Sequence, residues 1–105
     1  MIFISYSWAD AIFVRSIATA LSKQGYQVWI DYQNLNLDKP LAPQLAAAIF
    51  AADIFLFVDS PHACSSRWVQ FELLLAQLLH KSIQIIHVPI KAISPLEPSR
   101  FGGNK

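Results

Sequence analysis

The sequence has little cysteine and little charge, and each shortage excludes a class of protein. The lone cysteine, Cys64, has no second thiol for an internal disulfide and no neighbouring set of Cys and His that would form a zinc site. Only 14% of the residues are charged, against about 25% in typical domains. The net charge is +1 and no basic cluster occurs. The sequence therefore argues against direct nucleic-acid binding and favours a reducing, cytoplasmic compartment.

Long apolar runs are also missing. No such run reaches the roughly 18 residues of a membrane-spanning helix, and Met1 leads directly into a strand-like segment without the basic region of a signal peptide. The sequence therefore predicts neither a membrane segment nor a secretory leader. Hydrophobic residues are nevertheless abundant, at 54% of the 105 residues, so we expect one domain with a large core.

Hydrophobic periodicity predicts four strands that alternate with three helices. Strands are predicted over residues 2–6, 26–31, 54–58 and 83–90. The first helix is predicted to run from a capping box at Ser7 and Asp10 to Gly25. The second is predicted from about residue 40 to 52, and the third from Ser65 or Ser66 to about His80. Residues 32–40 are predicted as a long loop. The crossovers are long enough for parallel pairing, which predicts an α/β fold with an open parallel sheet and helices on both faces. Residues 1–90 form the predicted domain, and residues 91–105 are predicted to be a loop or a disordered tail.

Glu72 is the candidate for chemistry. It is the only acidic residue of the third predicted helix, one turn after Trp68 and in apolar surroundings. Polar segments at residues 5–8, 31–38 and 59–67 end the first three strands, at the sheet edge where open α/β folds bind ligands. A partly desolvated carboxylate attracts cations. When the N-glycosidic bond between a ribose and a positively charged leaving group breaks, such a carboxylate would stabilise the oxocarbenium-like ribose that forms. The alternative to a chemical role is that Glu72 is a structural residue or one that interacts with solvent.

Five sequence blocks, in order, resemble the Toll/interleukin-1 receptor (TIR) domain family, in the style of its prokaryotic members. The blocks are residues 2–7 with Asp10, residues 28–31 with Leu35, residues 48–49, residues 56–61, and residues 66–73. The resemblance covers about residues 1–90. It implies a flavodoxin-like fold and, for many members, cleavage of NAD+ to nicotinamide and a linear or cyclic ADP-ribose, with NAD+ as substrate and no bound cofactor.

The resemblance also implies roles for individual residues. The glutamate of the WxxxE block, which is catalytic in the family, falls on Glu72. The segment of about residues 31–43 corresponds to the BB loop, which gates the site and docks onto a neighbouring subunit, and Asp38 stands where a glycine is common. Seven residues would bind substrate, in the segment after the first strand, in the BB loop and in the third helix: Tyr6, Ser7, Trp8, Asp31, Leu35, Asp38 and Trp68.

Assembly is the third expectation that the resemblance carries. TIR enzymes typically act as homo-oligomers, often filaments, at the effector end of signalling, stress or anti-phage defence systems. We therefore expect other TIR domains and further domains of a parent chain as partners, with no membrane and no directly bound nucleic acid. A full TIR domain usually continues with a helix, a fifth strand and a last helix, which we expect this chain to lack. Leucines of the third helix would then face neighbouring copies.

Several alternatives stay open. A TIR module without activity would recruit other TIR domains through the BB loop and the third helix, and a nucleoside N-glycosyl transferase would use a helix carboxylate in a similar way. A receiver-type phospho-switch would need an acidic pair after the first strand to hold Mg²⁺, where this sequence has Ser5, Tyr6 and Ser7. Ser7 also suits a helix cap and Trp68 a core position. The histidines are scattered along the chain, so no metal site is expected.

Overall fold

In the part of the chain that the structure describes, the fold is a four-stranded parallel β-sheet with helices on both faces, as the sequence predicts. The computed structural model describes residues 1–89. Its strands are β1 (Ile2–Ser5), β2 (Val28–Trp29), β3 (Ile54–Asp59) and β4 (Ser82–His87). Its helices are α1 (Ala11–Lys23), α2 (Asp31–Asn34), α3 (Leu41–Ala51), α4 (Pro61–Ser65) and α5 (Arg67–Leu78). A 3₁₀ turn at Trp8–Asp10 precedes α1. The strand order is β2-β1-β3-β4, with every pair parallel. This is the start of the flavodoxin-like order.

β1 and β3 form the centre of the sheet and separate two hydrophobic cores. Phe3 pairs with Phe55 and Ile4 with Leu56, and successive side chains along a strand point to opposite faces. Phe3 and Phe55 belong to a core with α3 and α5, whereas Ile4 and Leu56 belong to a core with α1. The Phe3 ring also stacks on Trp29 and Phe55, with centroid distances of 4.8 and 5.5 Å. Aromatic packing therefore joins three neighbouring strands on the α3 and α5 side.

Local signals in the sequence determine where α1 begins and ends. Ser7 accepts a hydrogen bond from the Ala9 N–H at the start of the 3₁₀ turn, which confirms its predicted capping role. The second half of the predicted capping box is wrong, because Asp10 is bound by Ser60 instead. After α1, Gly25 has a φ of +92°, the left-handed conformation that glycine adopts without strain at a helix end.

Other boundaries differ from the prediction. The predicted loop at 32–40 begins with the single helical turn α2, and α4 occupies the connection before α5. β2 covers two residues rather than six, because the chain around Gly25 bonds back to α1: the Tyr26 N–H donates to the Leu21 carbonyl oxygen. β4 ends at His87. Residue 90 and the predicted tail at 91–105 lie outside the described residues.

α5 is less enclosed than its composition predicts. Its buried side carries Val69, Glu72 and Ala76, but Phe71, Leu74 and Leu78 are exposed, the last two at 55% and 66%. These three residues follow i, i+3, i+7 spacing and therefore share one face of the helix. We call them the outer face of α5.

Lys81 caps α3 from the turn before β4. Its Nζ donates to the Phe50 carbonyl oxygen and, at 2.9 Å, to the Ala52 carbonyl oxygen. These carbonyls end α3, where a cation is favourable. We expect Lys81→Met to lower the free energy of unfolding by about 1–2 kcal/mol, measured by urea denaturation. Lys39→Met, at an exposed lysine in the loop before α3, is the control and should change it by less than about 0.5 kcal/mol. Equal effects of the two substitutions would contradict the capping role of Lys81.

Candidate functional site

The candidate site lies at the carboxyl edge of the sheet, where β1 ends between β2 and β3. Parallel strands present these ends on one side, so the segments that follow them are neighbours. The structure joins them through side chains. Ser5 contacts Glu72 of α5, Tyr6 contacts Asp31 at the start of α2, and Ser60, after β3, contacts Asp10.

Glu72 lies on the buried side of α5, at a position where the helical period would suit an apolar residue. Val69, Glu72 and Ala76 have i, i+3, i+7 spacing, and each has an exposed fraction of 0%. The Ser5 hydroxyl donates a 2.8 Å hydrogen bond to Glu72 Oε1, across 67 positions of sequence. Burial is thus more complete than the partial desolvation that the sequence predicts. Sequence reasoning also missed Ser5, although its place at the end of a buried strand was visible.

Asp31 organises the edge next to β2. Its Oδ1 accepts hydrogen bonds from the Tyr6 hydroxyl at 2.6 Å and from the Tyr32 N–H at 2.8 Å, and its Oδ2 accepts one from Trp8 Nε1 at 2.6 Å. Burial, followed by the hydrogen bond to Asp31, raises the pKa of Tyr6 well above its usual value, so its hydroxyl remains a donor. Three of the predicted substrate-binding residues, Tyr6, Trp8 and Asp31, therefore form one bonded group that fixes the start of the predicted BB loop.

A third carboxylate, that of Asp10, is buried on the α1 side of the same edge. Ser60 Oγ donates to Asp10 Oδ2 at 2.5 Å and accepts from the Ala63 N–H, so it joins α1 to the start of α4. Within residues 1–89 no donor contacts Asp10 Oδ1, although the atom is buried. Sequence reasoning gave Asp10 only a capping role. The feature of the sequence that could have indicated Ser60 as the partner of Asp10 is its position directly after β3.

The remaining predicted residues have side chains with other roles, although the Leu35 N–H donates to the Asp31 carbonyl oxygen at 2.9 Å. Leu35 and Trp68 are half-buried against the core that packs under α5, and the Trp68 ring meets Phe71 edge to face. Ser7 is buried and caps the 3₁₀ turn. Asp38 is exposed in a turn and donates its N–H to Asn36 Oδ1. The absence of glycine at Asp38 costs nothing here, because the described loop has no positive φ at that position.

The described residues form neither a metal cluster nor a membrane-spanning helix. Residues 1–89 contain no group of three or more His, Cys, Asp and Glu placed to hold a metal ion. His87 and Asp59 form a pair at 2.9 Å at the ends of β4 and β3. None of the helices in this range is both long enough and apolar enough to cross a membrane.

Removing the Tyr6 hydroxyl tests the group around Asp31. We expect Tyr6→Phe to lower the free energy of unfolding by about 1–3 kcal/mol, because a buried carboxylate loses a donor. Tyr26→Phe, at an exposed tyrosine after α1, should change it by less than about 0.5 kcal/mol. Urea denaturation at neutral pH measures both. Equal stabilities of the two variants would show that the hydrogen bond from Tyr6 to Asp31 contributes nothing.

The fold of this chain can be compared with those of known proteins. Among solved structures, the chain is similar to the TIR domains in the structure of the activated Roq1 resistosome directly recognizing the pathogen effector XopQ. The TM-score is 0.75 at 24% identity, and the match covers 82% of this chain and 55% of that chain. This chain therefore spans about half the length of the solved chain, and the likeness shows a shared fold. No curated protein matches the chain.

The family itself is shown by a sequence model. A family model described as TIR domain matches residues 2–102, which is nearly the whole sequence. The match agrees with the order of blocks in the sequence and with the parallel sheet of the structure. The prokaryotic style of those blocks stays a prediction. The chain belongs to the TIR domain family.

Proposed function

We propose that this TIR domain cleaves the bond between nicotinamide and ribose in NAD+, with Glu72 as the catalytic carboxylate. The products would be nicotinamide and ADP-ribose in linear or cyclic form. The observation that supports this most is the position of Glu72, which lies on the buried side of α5 and is held by Ser5 at the end of β1. Burying a carboxylate costs stability that an apolar residue would not. Such groups are common at functional sites.

NAD+ suits this carboxylate because its nicotinamide ring is a positively charged leaving group. When the N-glycosidic bond breaks, its electron pair goes to the ring nitrogen and positive charge develops on the ribose. A buried carboxylate stabilises that charge with little screening by solvent. In hydrolysis, water then adds to C1 of the ribose and its proton goes to solvent. Nicotinamide leaves as a neutral molecule, so no general acid is required.

Substrate access requires the site to open, because Glu72 exposes none of its surface in this state. Leu35, in the loop after α2, and Trp68, on α5, are half-buried against one core and are suited to close the site. Asp38 lies on the exposed part of the same loop. We therefore assign gating to the segment from α2 to α3, as the family resemblance implies for the BB loop.

The residues after β1 would form the wall of the nucleotide cleft. Trp8 is 40% exposed and offers an aromatic face to a base or a nicotinamide ring. Tyr6, Ser7 and Asp31 are buried, and we assign them to positioning Trp8 and the loop. NAD+ would be a substrate here, and no further cofactor is proposed.

Self-association would activate the enzyme. The similar solved structure is a resistosome that recognises a pathogen effector. For the present chain, we propose a comparable role in cytoplasmic signalling or defence, including antiviral or stress responses. Other TIR domains and further domains of a parent chain would be the partners. The exposed outer face of α5 supports this, since apolar patches mark interaction sites.

A TIR interaction module without activity is the second candidate. The complete burial of Glu72 in the described state favours it, because an interaction module needs no access to that carboxylate. Nicotinamide release from the concentrated chain, alone and with a crowding agent, discriminates between the two functions. Release would support the enzyme, and its absence from an assembled protein would support the module.

Glu72→Gln is the direct test of catalysis. The substitution keeps the shape and removes the charge, so we expect nicotinamide release to fall by about 100-fold or more. Asp53→Asn makes the same change at an exposed acid before β3, on the opposite edge of the sheet, and should leave release unchanged. Chromatography of nicotinamide measures both variants. Undiminished release from folded, assembled Glu72→Gln would remove Glu72 from catalysis.

Ser5→Ala tests the hydrogen bond that holds Glu72. Without the hydroxyl, the ionised carboxylate loses a donor and its orientation, so we expect kcat to fall about tenfold while KM changes little. Ser16→Ala, at an exposed hydroxyl that bonds the Phe13 carbonyl oxygen, is the control. A wild-type kcat in folded Ser5→Ala would show that Ser5 has no part in positioning Glu72.

A further inference from the structure

A cleft between α1 and α2 collects side chains that donate hydrogen bonds. Two adjoining cavities, of about 330 and 400 Å³, share Thr19 and Lys23 in their walls. Sites for small ligands have volumes of this order. We call the joint space the α1–α2 cleft. Its donor side chains and its aromatic ring belong to Arg15, Thr19, Ser22, Lys23, Tyr32 and Gln33.

One face of α1 supplies the cations and the hydroxyl groups of this cleft. Arg15, Thr19, Ser22 and Lys23 have i, i+4, i+7, i+8 spacing, so their side chains lie along one side of the helix. α1 contains no Asp or Glu, and neither cavity has a carboxylate in its wall. The cleft is therefore positively charged, although the net charge of the whole chain is only +1.

The donor groups of the cleft are not used by the fold. Within residues 1–89, no hydrogen bond or ion pair engages the donor side chains of the cleft. Hydroxyl groups in helices often bond back to their own backbone, as Ser16 Oγ does to the Phe13 carbonyl oxygen at 2.6 Å. Thr19 and Ser22 make no such bond. All of these donor side chains are exposed, so a ligand reaches them without opening either core.

Tyr32 holds the Arg15 side chain at the cleft. Arg15 Cζ lies 5.2 Å from the centre of the Tyr32 ring, which is a cation–π contact. Tyr32 is itself held by its N–H, which donates to Asp31 Oδ1 at 2.8 Å. The guanidinium is thus oriented by its flat face, while its N–H groups stay available. Such a planar fork matches two oxygens of a phosphate group.

We propose that the α1–α2 cleft binds the phosphate group of a small ligand. Arg15 and Lys23 would supply the charged contacts, and the Thr19 hydroxyl would donate between them. Eight helical positions place the two cations about 12 Å apart along the axis, a distance that two long side chains can span from both ends. Ser22 and Gln33 would bind the remainder of a phosphate ester. Binding here does not depend on cleavage of NAD+, so it goes beyond the proposed function.

A phosphate in this cleft would connect α1 to α2. Gln33 lies in the wall of the cleft, and its N–H donates to the Ile30 carbonyl oxygen at 3.1 Å, in the single turn of α2. A ligand that contacts both helices should make this turn open less often. We therefore expect hydrogen exchange at the Gln33 N–H to slow when the ligand is bound.

Titration with ribose 5-phosphate, followed by two-dimensional NMR of the labelled chain, tests the site. We expect a dissociation constant below about 1 mM, with shift changes centred on Thr19, Lys23 and Gln33. Ribose without the phosphate should not bind. Inorganic phosphate is the third probe. Weaker binding of inorganic phosphate than of ribose 5-phosphate would assign the cleft to a phosphate ester, and equal or tighter binding would assign it to free phosphate; both support a phosphate site.

Substitutions of the two cations locate the contact. Arg15→Gln and Lys23→Gln each remove one charge, so we expect each to raise the dissociation constant about tenfold or more. Arg67→Gln and Lys39→Gln make the same changes at exposed cations outside the cleft. They should alter the constant by less than about twofold, because distant exposed charges are screened. The melting temperature confirms that each variant is folded.

Three results would overturn the site. They are no binding of either phosphate probe up to about 10 mM, an unchanged dissociation constant in folded Arg15→Gln and Lys23→Gln, and shift changes centred on Trp8 instead of the cleft. The last result would place the sugar phosphate in the proposed nucleotide cleft. Nicotinamide release is measured separately. An inactive chain that binds phosphate through Arg15 and Lys23 would reject catalysis and leave this site standing, and an active chain without such binding would do the reverse.

Discussion

The hydrogen bond from Ser5 to Glu72 is the constraint on which the carboxyl edge depends. A carboxylate on the buried side of α5 needs a donor, because burying it without one costs several times the value of an ordinary hydrogen bond. Ser5 supplies that donor from the last position of β1, on the side of the sheet that faces α5. The bond therefore fixes α5 against the sheet. Val69 and Ala76 of the same helix pack in the core beside it, and Trp68 packs against that core.

Hydroxyl groups bound to buried carboxylates recur along this edge. Ser5 binds Glu72, Tyr6 binds Asp31, and Ser60 binds Asp10. Each pair joins the end of a strand to a different helix or turn, so the edge is held together by polar contacts while the two cores below it are apolar. The result collects carboxylate groups where a parallel sheet binds ligands. Carboxyl side chains at such an edge are suited to a cationic substrate, so the fold supports the proposed chemistry.

The sequence predicted the elements better than the contacts between them. The strands at residues 2–6 and 54–58 were visible because a fully buried strand is a continuous apolar run, and α1 because its apolar period ends at Gly25. α2 and α4 were missed, since a single helical turn has too few residues to show a period. Glu72 was found from its apolar surroundings, but its bond to Ser5 and the bond from Ser60 to Asp10 were not. Those contacts join residues through the folded backbone, and no local pattern encodes them.

We expect the Glu72 carboxylate to contact the ribose of NAD+ in an opened, assembled form of the chain. A structure of the chain at assembling concentration with a non-cleavable NAD+ analogue tests this most directly. In that structure, the ribose next to nicotinamide should lie within hydrogen-bond distance of Glu72, and Leu35 should have left its place against the core. An analogue bound elsewhere, with Glu72 still buried and bonded to Ser5, would contradict this expectation.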